Sequence, residues 1–321
     1  MLLTIVAIII GFCLLIWGAD RFIIGAAGLA RNLGISPLVI GIIIVGFGTS
    51  APEIIISIMA AIKGNPSIAI GNAIGSNITN IGLIVGSTAL IMPLIIKNHM
   101  LRSEYLILII VSIGIYLLLI DRQLSFIDGV ILLVTLIMVL FFITKKGLKE
   151  PIQKEDLISK KEQSSLTMSS ALIWFFIGLI TLSTGSHILV WGAVEIATSL
   201  GVSELIIGLT IVAIGTSLPE LAASVASALK NEPEIAIGNV IGSNIYNLLG
   251  VLCVPGLVSA PMISNDVIAR DLPIMLLLTF FLYLFGKNFH RQGKITRLKG
   301  IVLLFAFFTY QGWLFIESTS W

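Results

Sequence analysis

The chain has 321 residues, of which 57% are hydrophobic and only 11% charged, and its formal net charge is +2. Soluble domains carry about a quarter charged residues, and the apolar residues here run on without the alternation of half-buried strands or the three-four spacing of surface helices, which excludes a soluble multidomain enzyme. The two cysteines, Cys13 and Cys253, lie in apolar runs with no CxxC spacing, so neither a disulfide framework nor a thiolate metal site is available.

Met1 to Ala19 is free of charge, has no basic leader and no A-x-A-like cleavage site, and reads as a retained first helix. Further spans are expected near Ser36–Ile62, Ile68–Ile96, Ser103–Ile120, Leu124–Thr144, Met168–Leu200, Ser203–Leu229, Ile235–Val258, Val267–Phe285 and Ile295–Ile316. The expected fold is an all-α polytopic membrane protein with ten transmembrane helices. The longest stretches exceed the roughly 20 residues that a bilayer needs, so tilted or broken helices are expected among them.

Ten spans distribute the loops over two sides. Lys63, Arg122 and Arg270 fall on the side of the termini, and fifteen other Lys and Arg residues, among them Lys145, Lys146, Lys154, Lys230 and Lys294, fall on the opposite side. Arg21 lies within the first helix and is not counted. The positive-inside rule then places both termini outside and the mixed-charge stretch 145–167 in the cytoplasm, with a prokaryotic plasma (inner) membrane as the expected location. That stretch reads as a solvated linker.

The strongest signal is an internal repeat. Gly48 to Asn80, "GTSAPEIIISIMAAIKGNPSIAIGNAIGSNITN", matches Gly215 to Asn247, "GTSLPELAASVASALKNEPEIAIGNVIGSNIYN", at a constant offset of 167 with 20 of 33 positions identical. The register extends upstream to the pairs Gly34 and Gly201, Ser36 and Ser203, and Gly41 and Gly208. The chain therefore divides into a first repeat, 1–144, a linker, 145–167, and a second repeat, 168–321. Five helices is an odd number, so the second repeat enters the membrane from the opposite side. Such inverted repeats are typical of secondary transporters, whose site lies near the midplane where the halves meet.

Glu53 and Glu220 lie well inside their spans, where a lone carboxylate needs a partner, a proton or a cation. A structural salt bridge would require Arg21 or His187, neither of which is duplicated. Thr49 and Ser50 precede Glu53 by four and three residues and share its helix face, and Thr216, Ser217 and Glu220 repeat the arrangement. Ser76 and Asn80 form an i,i+4 pair mirrored by Ser243 and Asn247. Pro52 and Pro219 lack an N–H and free carbonyls near Gly48 and Gly215. The inventory is carboxylate, hydroxyl, amide oxygen and carbonyl, a set of hard ligands that suits Ca²⁺, Na⁺ or K⁺ and not zinc or copper. Two carboxylates would balance one Ca²⁺, and an empty site with two ionised glutamates is poorly suited to reorganise in a low dielectric, which favours an exchanger over a leak. Gly71, Gly75, Gly238 and Gly242 are expected to pack helices, and Asn72, Asn77, Asn239 and Asn244 to support them through hydrogen bonds.

The duplicated "GTSxPE" followed by "GNxxGSNIxN" resembles the two alpha-repeats of the calcium:cation antiporter superfamily, in particular its bacterial and archaeal sodium/calcium exchanger branch. The resemblance covers essentially the whole chain. It implies that Glu53 and Glu220 bind Ca²⁺ in competition with Na⁺. Thr49, Ser50, Thr216 and Ser217 then supply oxygens to flanking Na⁺ sites, with the Ala213 carbonyl a further candidate, and Ser76, Asn80, Ser243 and Asn247 complete the cluster. Some relatives carry an aspartate where this chain has Asn247. The family's usual exchange of three Na⁺ for one Ca²⁺ implies electrogenic transport. Ca²⁺ and Na⁺ are then substrates in a lipid bilayer, with no bound cofactor, nucleic acid or obligatory protein partner expected.

Rival readings remain open on sequence grounds. The second motif lacks the acidic residues of the proton-coupled branch, while potassium-coupled exchangers are harder to separate. A passive cation channel could use the same ligands. An intramembrane hydrolase built on Ser50 or Ser217 finds no G-x-S-x-G elbow and no duplicated histidine.

Overall fold

A computed structural model describes residues 2–96, 98–149, 166–201, 211, 213–286 and 293–319. Most of the linker with Lys154, and the repeat positions Ser203 and Gly208, lie outside the described residues. The chain opens with α1 (Leu2–Leu33), followed by the bent pair α2 (Pro37–Thr49) and α3 (Ala51–Ile62), then α4 (Pro66–Ile91), strand β1 (Leu94–Ile96), α5 (Asn98–Leu118) and α6 (Phe126–Lys149). The second half holds α7 (Met168–Ser199), the short α8 (Ala213–Thr216), α9 (Leu218–Leu229), α10 (Pro233–Ser259), α11 (Val267–Gly286), strand β2 (Gly293–Ile295) and α12 (Arg297–Thr319). Among the described residues seven helices are long and apolar enough to cross a membrane, or eight if the bent pair α2 and α3 is one span. Ser103–Leu118 and Leu218–Leu229 are apolar but shorter. The chain is a helical polytopic membrane protein.

Helix α1 has 32 residues and so runs about 48 Å, well beyond the ~30 Å hydrocarbon core, which requires it to tilt. It lies against α7 through glycines. A Cβ at Gly11 would stand 2.6 Å from the Leu189 nitrogen, at Gly18 2.5 Å from that of Leu182, and at Gly25 2.3 Å from that of Phe175. Numbers rising on one helix while falling on the other mean that α1 and α7 run antiparallel. Lipid supplies no hydrophobic drive between helices, so this backbone-to-backbone approach is what gives the pair its dispersion contact.

Helices α4 and α10 form the centre, with 72% and 83% of their apolar windows buried against 28% for α1 and α7. Each starts with proline, whose missing N–H is no loss in a first turn. Each also passes through a wide π turn, Asn80–Val85 and Tyr246–Val251. Ile74, Ile78, Ile81 and Ile84 pack there with Ile241, Ile245 and Leu248.

Two departures from the expected spans have local causes. The third span stops at Ile91 and not at Ile96, because Met92 precedes Pro93 and takes an extended conformation (φ −137°, ψ 116°), which proline imposes on the residue before it. The residues beyond form β1, which pairs antiparallel with β2, Leu94 opposite Ile295, so the otherwise helical fold contains one short two-stranded ribbon. The offset of 167 also pairs Glu104 with Asp271, beyond the motifs read from sequence. Glu104 is buried and takes an ion pair from Lys146 at 3.0 Å, tying α5 to α6. Asp271 accepts from Arg270 at 2.7 Å and from the Tyr310 hydroxyl at 3.0 Å, and Arg270 reaches Glu317 at 2.5 Å, tying α11 to α12.

A Cβ at Gly178 would lie 2.2 Å from the Phe22 nitrogen, whereas one at Gly114 meets nothing within 4 Å. Gly178→Val is therefore expected to destabilise the purified protein by at least ~1–3 kcal/mol in thermal unfolding, with Gly114→Ala neutral or slightly stabilising.

Candidate ion site

The site is built where two helices break. Ser50 leaves the helical region at φ −85°, ψ 2°, and its repeat mate Ser217 does the same at φ −92°, ψ 5°. Pro52 and Pro219 follow in the first turns of α3 and α9, where they cannot donate back into the preceding helix. The first break bends the pair by 44°. Each break sets the carbonyl end of one helix beside the N-terminus of the next. Glu53 and Glu220 sit in those first turns, where the helix dipole favours an anion, while the opposed carbonyl ends favour a cation.

Burial brings the predicted residues together in dry protein. Thr49, Ser50 and Ser243 are wholly buried, and Glu53, Glu220, Ser217, Asn80 and Asn247 are each 1% exposed. Ser76 is buried, Thr216 is half-buried, and Ala213 opens the short helix that ends at the second break. Ser50 Oγ donates to Glu220 Oε1 across the two halves at 3.1 Å. Thr49 Oγ1 donates to Asn239 Oδ1 at 2.9 Å and lies 3.4 Å from Ser243 Oγ. Asn80 Nδ2 donates to Asn244 Oδ1 at 3.4 Å, and Asn77 Nδ2 to the Asn244 carbonyl at 3.3 Å.

Several oxygens are left over. Glu53 Oε2, Glu220 Oε2, Asn80 Oδ1, Asn247 Oδ1 and Ser217 Oγ are buried without a hydrogen-bond partner. Asn77 Oδ1 is in the same state. Buried polar atoms nearly always find a partner, so these donorless oxygens could serve a cation as ligands. Glu53 and Glu220 also feel each other's charge, and among the described residues neither forms an ion pair. Arg21, the cation weighed for a structural bridge, lies elsewhere, against Trp17 and Trp174. The charged groups gathered here are the two carboxylates, set among neutral hydroxyl and amide oxygens, a set that could hold a hard cation.

The asparagines of the second motif hold the carboxylate turns. Asn72 Nδ2 donates to the Glu53 carbonyl at 3.1 Å, and its mate Asn239 to the Glu220 carbonyl at 3.2 Å and to Ser224 Oγ at 2.9 Å. Ser186 is a participant that the repeat could not disclose, since its mate position is Ala19. Its hydroxyl donates to the Gly215 carbonyl at 3.1 Å, the carbonyl that Pro219 leaves without a helical donor.

The glycines expected to pack helices do so on α10. A Cβ at Gly238 would lie 2.5 Å from the Leu38 carbonyl oxygen, and at Gly242 2.3 Å from that of Ile42, so α2 is pressed onto α10. The stretch that corresponds to α2 at the offset of 167 falls largely outside the described residues, and with it whatever packs on Gly71 and Gly75 of α4.

A polytopic helical membrane protein with broken helices around a buried, oxygen-lined centre has the build of an ion transporter. The sequence pattern that defines the sodium/calcium exchanger protein family matches residues 3–145 and 170–316, so the chain belongs to that family, whose members are membrane exchangers and not enzymes. A protein of Alkalimonas amylolytica is 42% identical over 319 residues, spanning 98% of this chain and 99% of its own. Inner membrane protein YrbG of Escherichia coli K12 is 36% identical over 98% of both chains. A solved structure of the sodium-calcium exchanger NCX_Mj, soaked with zero Na⁺ and Ca²⁺, superposes with a TM-score of 0.85 at 35% identity, covering 98% of this chain and 99% of that one.

The Asn239 side chain meets the Thr49 and Ser224 hydroxyls and the Glu220 carbonyl in buried surroundings, and among the described residues that of Asn72 meets the Glu53 carbonyl in a half-buried setting. Asn239→Ala is expected to lower stability by ~1–3 kcal/mol through the partners it strands, and Asn72→Ala by clearly less, in thermal unfolding of the two purified variants.

Proposed function

We propose that this chain is a secondary antiporter that exchanges Ca²⁺ for Na⁺ by alternating access, with Glu53 and Glu220 as the shared charged ligands. The observation that carries this reading is the ring of orphaned buried oxygens on Glu53, Glu220, Asn80, Asn247 and Ser217. Two carboxylates neutralise one Ca²⁺, and the neutral oxygens around them suit Na⁺ equally. Thr49, Ser50, Thr216, the Ala213 carbonyl, Ser76 and Ser243 belong to the same ligand set, with Thr49 already engaged by Asn239. No resident cofactor enters the reading; the ions are substrates.

The architecture of the proposal is ten helices in two inverted five-helix repeats, 1–144 and 168–321, joined by a cytoplasmic linker, 145–167, with both termini outside. Its support is the antiparallel contact of the repeat mates α1 and α7 and the recurrence of break, proline, glutamate and π turn at one offset. Reorganisation of an empty site would drag two uncompensated carboxylates through low-dielectric protein, so the carrier moves when loaded and exchange is obligatory. A sodium-loaded form with one more positive charge than the calcium-loaded form makes transport electrogenic.

Ca²⁺ uptake into proteoliposomes is expected to require internal Na⁺ and to fail with a K⁺ or a pH gradient. Uptake driven by pH alone would assign proton coupling, and uptake without a counter-ion would overturn obligatory exchange. Glu53→Gln and Glu220→Gln are each expected to reduce uptake by roughly 10–100-fold, since a charge-assisted contact is worth about 1.5–3 kcal/mol, while Lys154→Ala leaves it unchanged. An inside-positive potential is expected to slow Na⁺-driven Ca²⁺ uptake if Na⁺ leaves with less charge than Ca²⁺ brings in and to speed it if more, at about 2.3 kcal/mol per charge per 100 mV. The family's stoichiometry gives the second outcome.

A further inference from the structure

Arg21 is a cation within a long apolar helix, and among the described residues no anion accepts a hydrogen bond from it. Its guanidinium carbon lies 4.9 Å from the ring centre of Trp174 and 5.6 Å from that of Trp17, and the two indoles meet edge to face at 6.4 Å. The adjacent carboxylate, Asp20, stands 3.8 Å from Arg21 Nε, beyond hydrogen-bond reach, and is held instead by Lys230 Nζ at 2.5 Å. Arg21 Nε is buried with no hydrogen-bond partner. The rest of the side chain is 35% exposed beside the exposed Trp17 ring, so the donors of the fork open outward from the protein. Two cations and one carboxylate leave this cluster with one uncompensated positive charge.

A charge within a membrane-spanning helix requires a counter-ion. Lys230 immediately follows α9, so the cluster sits at the level where that helix ends, and indoles are favoured at this boundary between hydrocarbon and headgroups. The anions present at that boundary are lipid phosphates, and a guanidinium fork matches a phosphate bidentately while its planar faces remain stacked on the rings. We propose that Arg21, flanked by Trp17 and Trp174 and with Lys230 beside it, is a binding site for the headgroup of an anionic phospholipid. The site lies between α1, α7 and the end of α9, apart from the ion ligands. Asp20 sets its selectivity: by occupying Lys230 it leaves Arg21 as the free donor, and it disfavours a headgroup with more than one negative charge.

The test uses the full chain in vesicles of phosphatidylcholine, with a small fraction of either phosphatidylglycerol or phosphatidylcholine carrying bromine on its acyl chains, and reads tryptophan quenching. The brominated anionic lipid is expected to quench at roughly fivefold lower mole fraction than the zwitterionic one. That preference is expected to disappear in Arg21→Gln and in the double variant Trp17→Phe/Trp174→Phe, which removes the reporting rings. In Lys230→Gln it is expected to weaken, because Asp20 is released to neutralise Arg21. Equal quenching by the two lipids in the unaltered chain would overturn the proposal without recourse to any variant, and so would a preference that survives Arg21→Gln. Soluble glycerol phosphate is expected to leave the preference unchanged; if it displaced the brominated lipid, the ligand would be a free phosphate ester and the lipid assignment would fail.

Discussion

Two carboxylates buried in the middle of the protein are the constraint around which the rest is arranged. Glu53 and Glu220 are each 1% exposed and no described cation pairs with either. Such a pair is costly anywhere in a membrane and tolerable only beside something positive. The protein supplies part of that through helix N-termini and through the Ser50 hydroxyl on Glu220. Around them lies buried oxygen that no donor reaches, on Asn80, Asn247 and Ser217 as well as on the carboxylates themselves. The helix breaks, the prolines and the π turns all serve to bring main-chain and side-chain oxygen to that one place.

Around this centre the two copies of the motif use the same parts. Asn72 and Asn239 hold the turns of Glu53 and Glu220 through equivalent bonds, Asn239 also takes the Thr49 hydroxyl, and α2 lies on Gly238 and Gly242 with no room for a Cβ. A glycine face lets backbones meet without interlocking side chains, so such a contact can part and re-form at little cost. The ion pairs at Glu104 and Asp271 mark the contrasting part of the fold, where charged tethers join α5 to α6 and α11 to α12.

The cluster at Arg21 shows a different use of charge. The groups around Glu53 and Glu220 are neutral or acidic and buried, whereas Arg21 is stacked on indoles and partly exposed. The bridge from Asp20 to Lys230 connects α1 to the end of α9, which carries Glu220 in its first turn. That surface is thereby linked to the element that holds one of the two buried carboxylates.

Much of this was legible in the sequence because membranes leave few alternatives. Apolar runs must be helices, so the helical fold, the duplicated motif and the oxygen-bearing character of Glu53, Glu220, Ser217, Asn80 and Asn247 follow from order and composition alone. The sequence could not show Ser186 on the Gly215 carbonyl, because that contact has no repeat mate, nor Arg21 between two tryptophans that are 157 positions apart. The duplicated glycines say that helices can approach closely, yet not which ones: that α2 lies against Gly238 and Gly242 is a contact between residues 200 positions apart in the chain, and only the tertiary structure decides it.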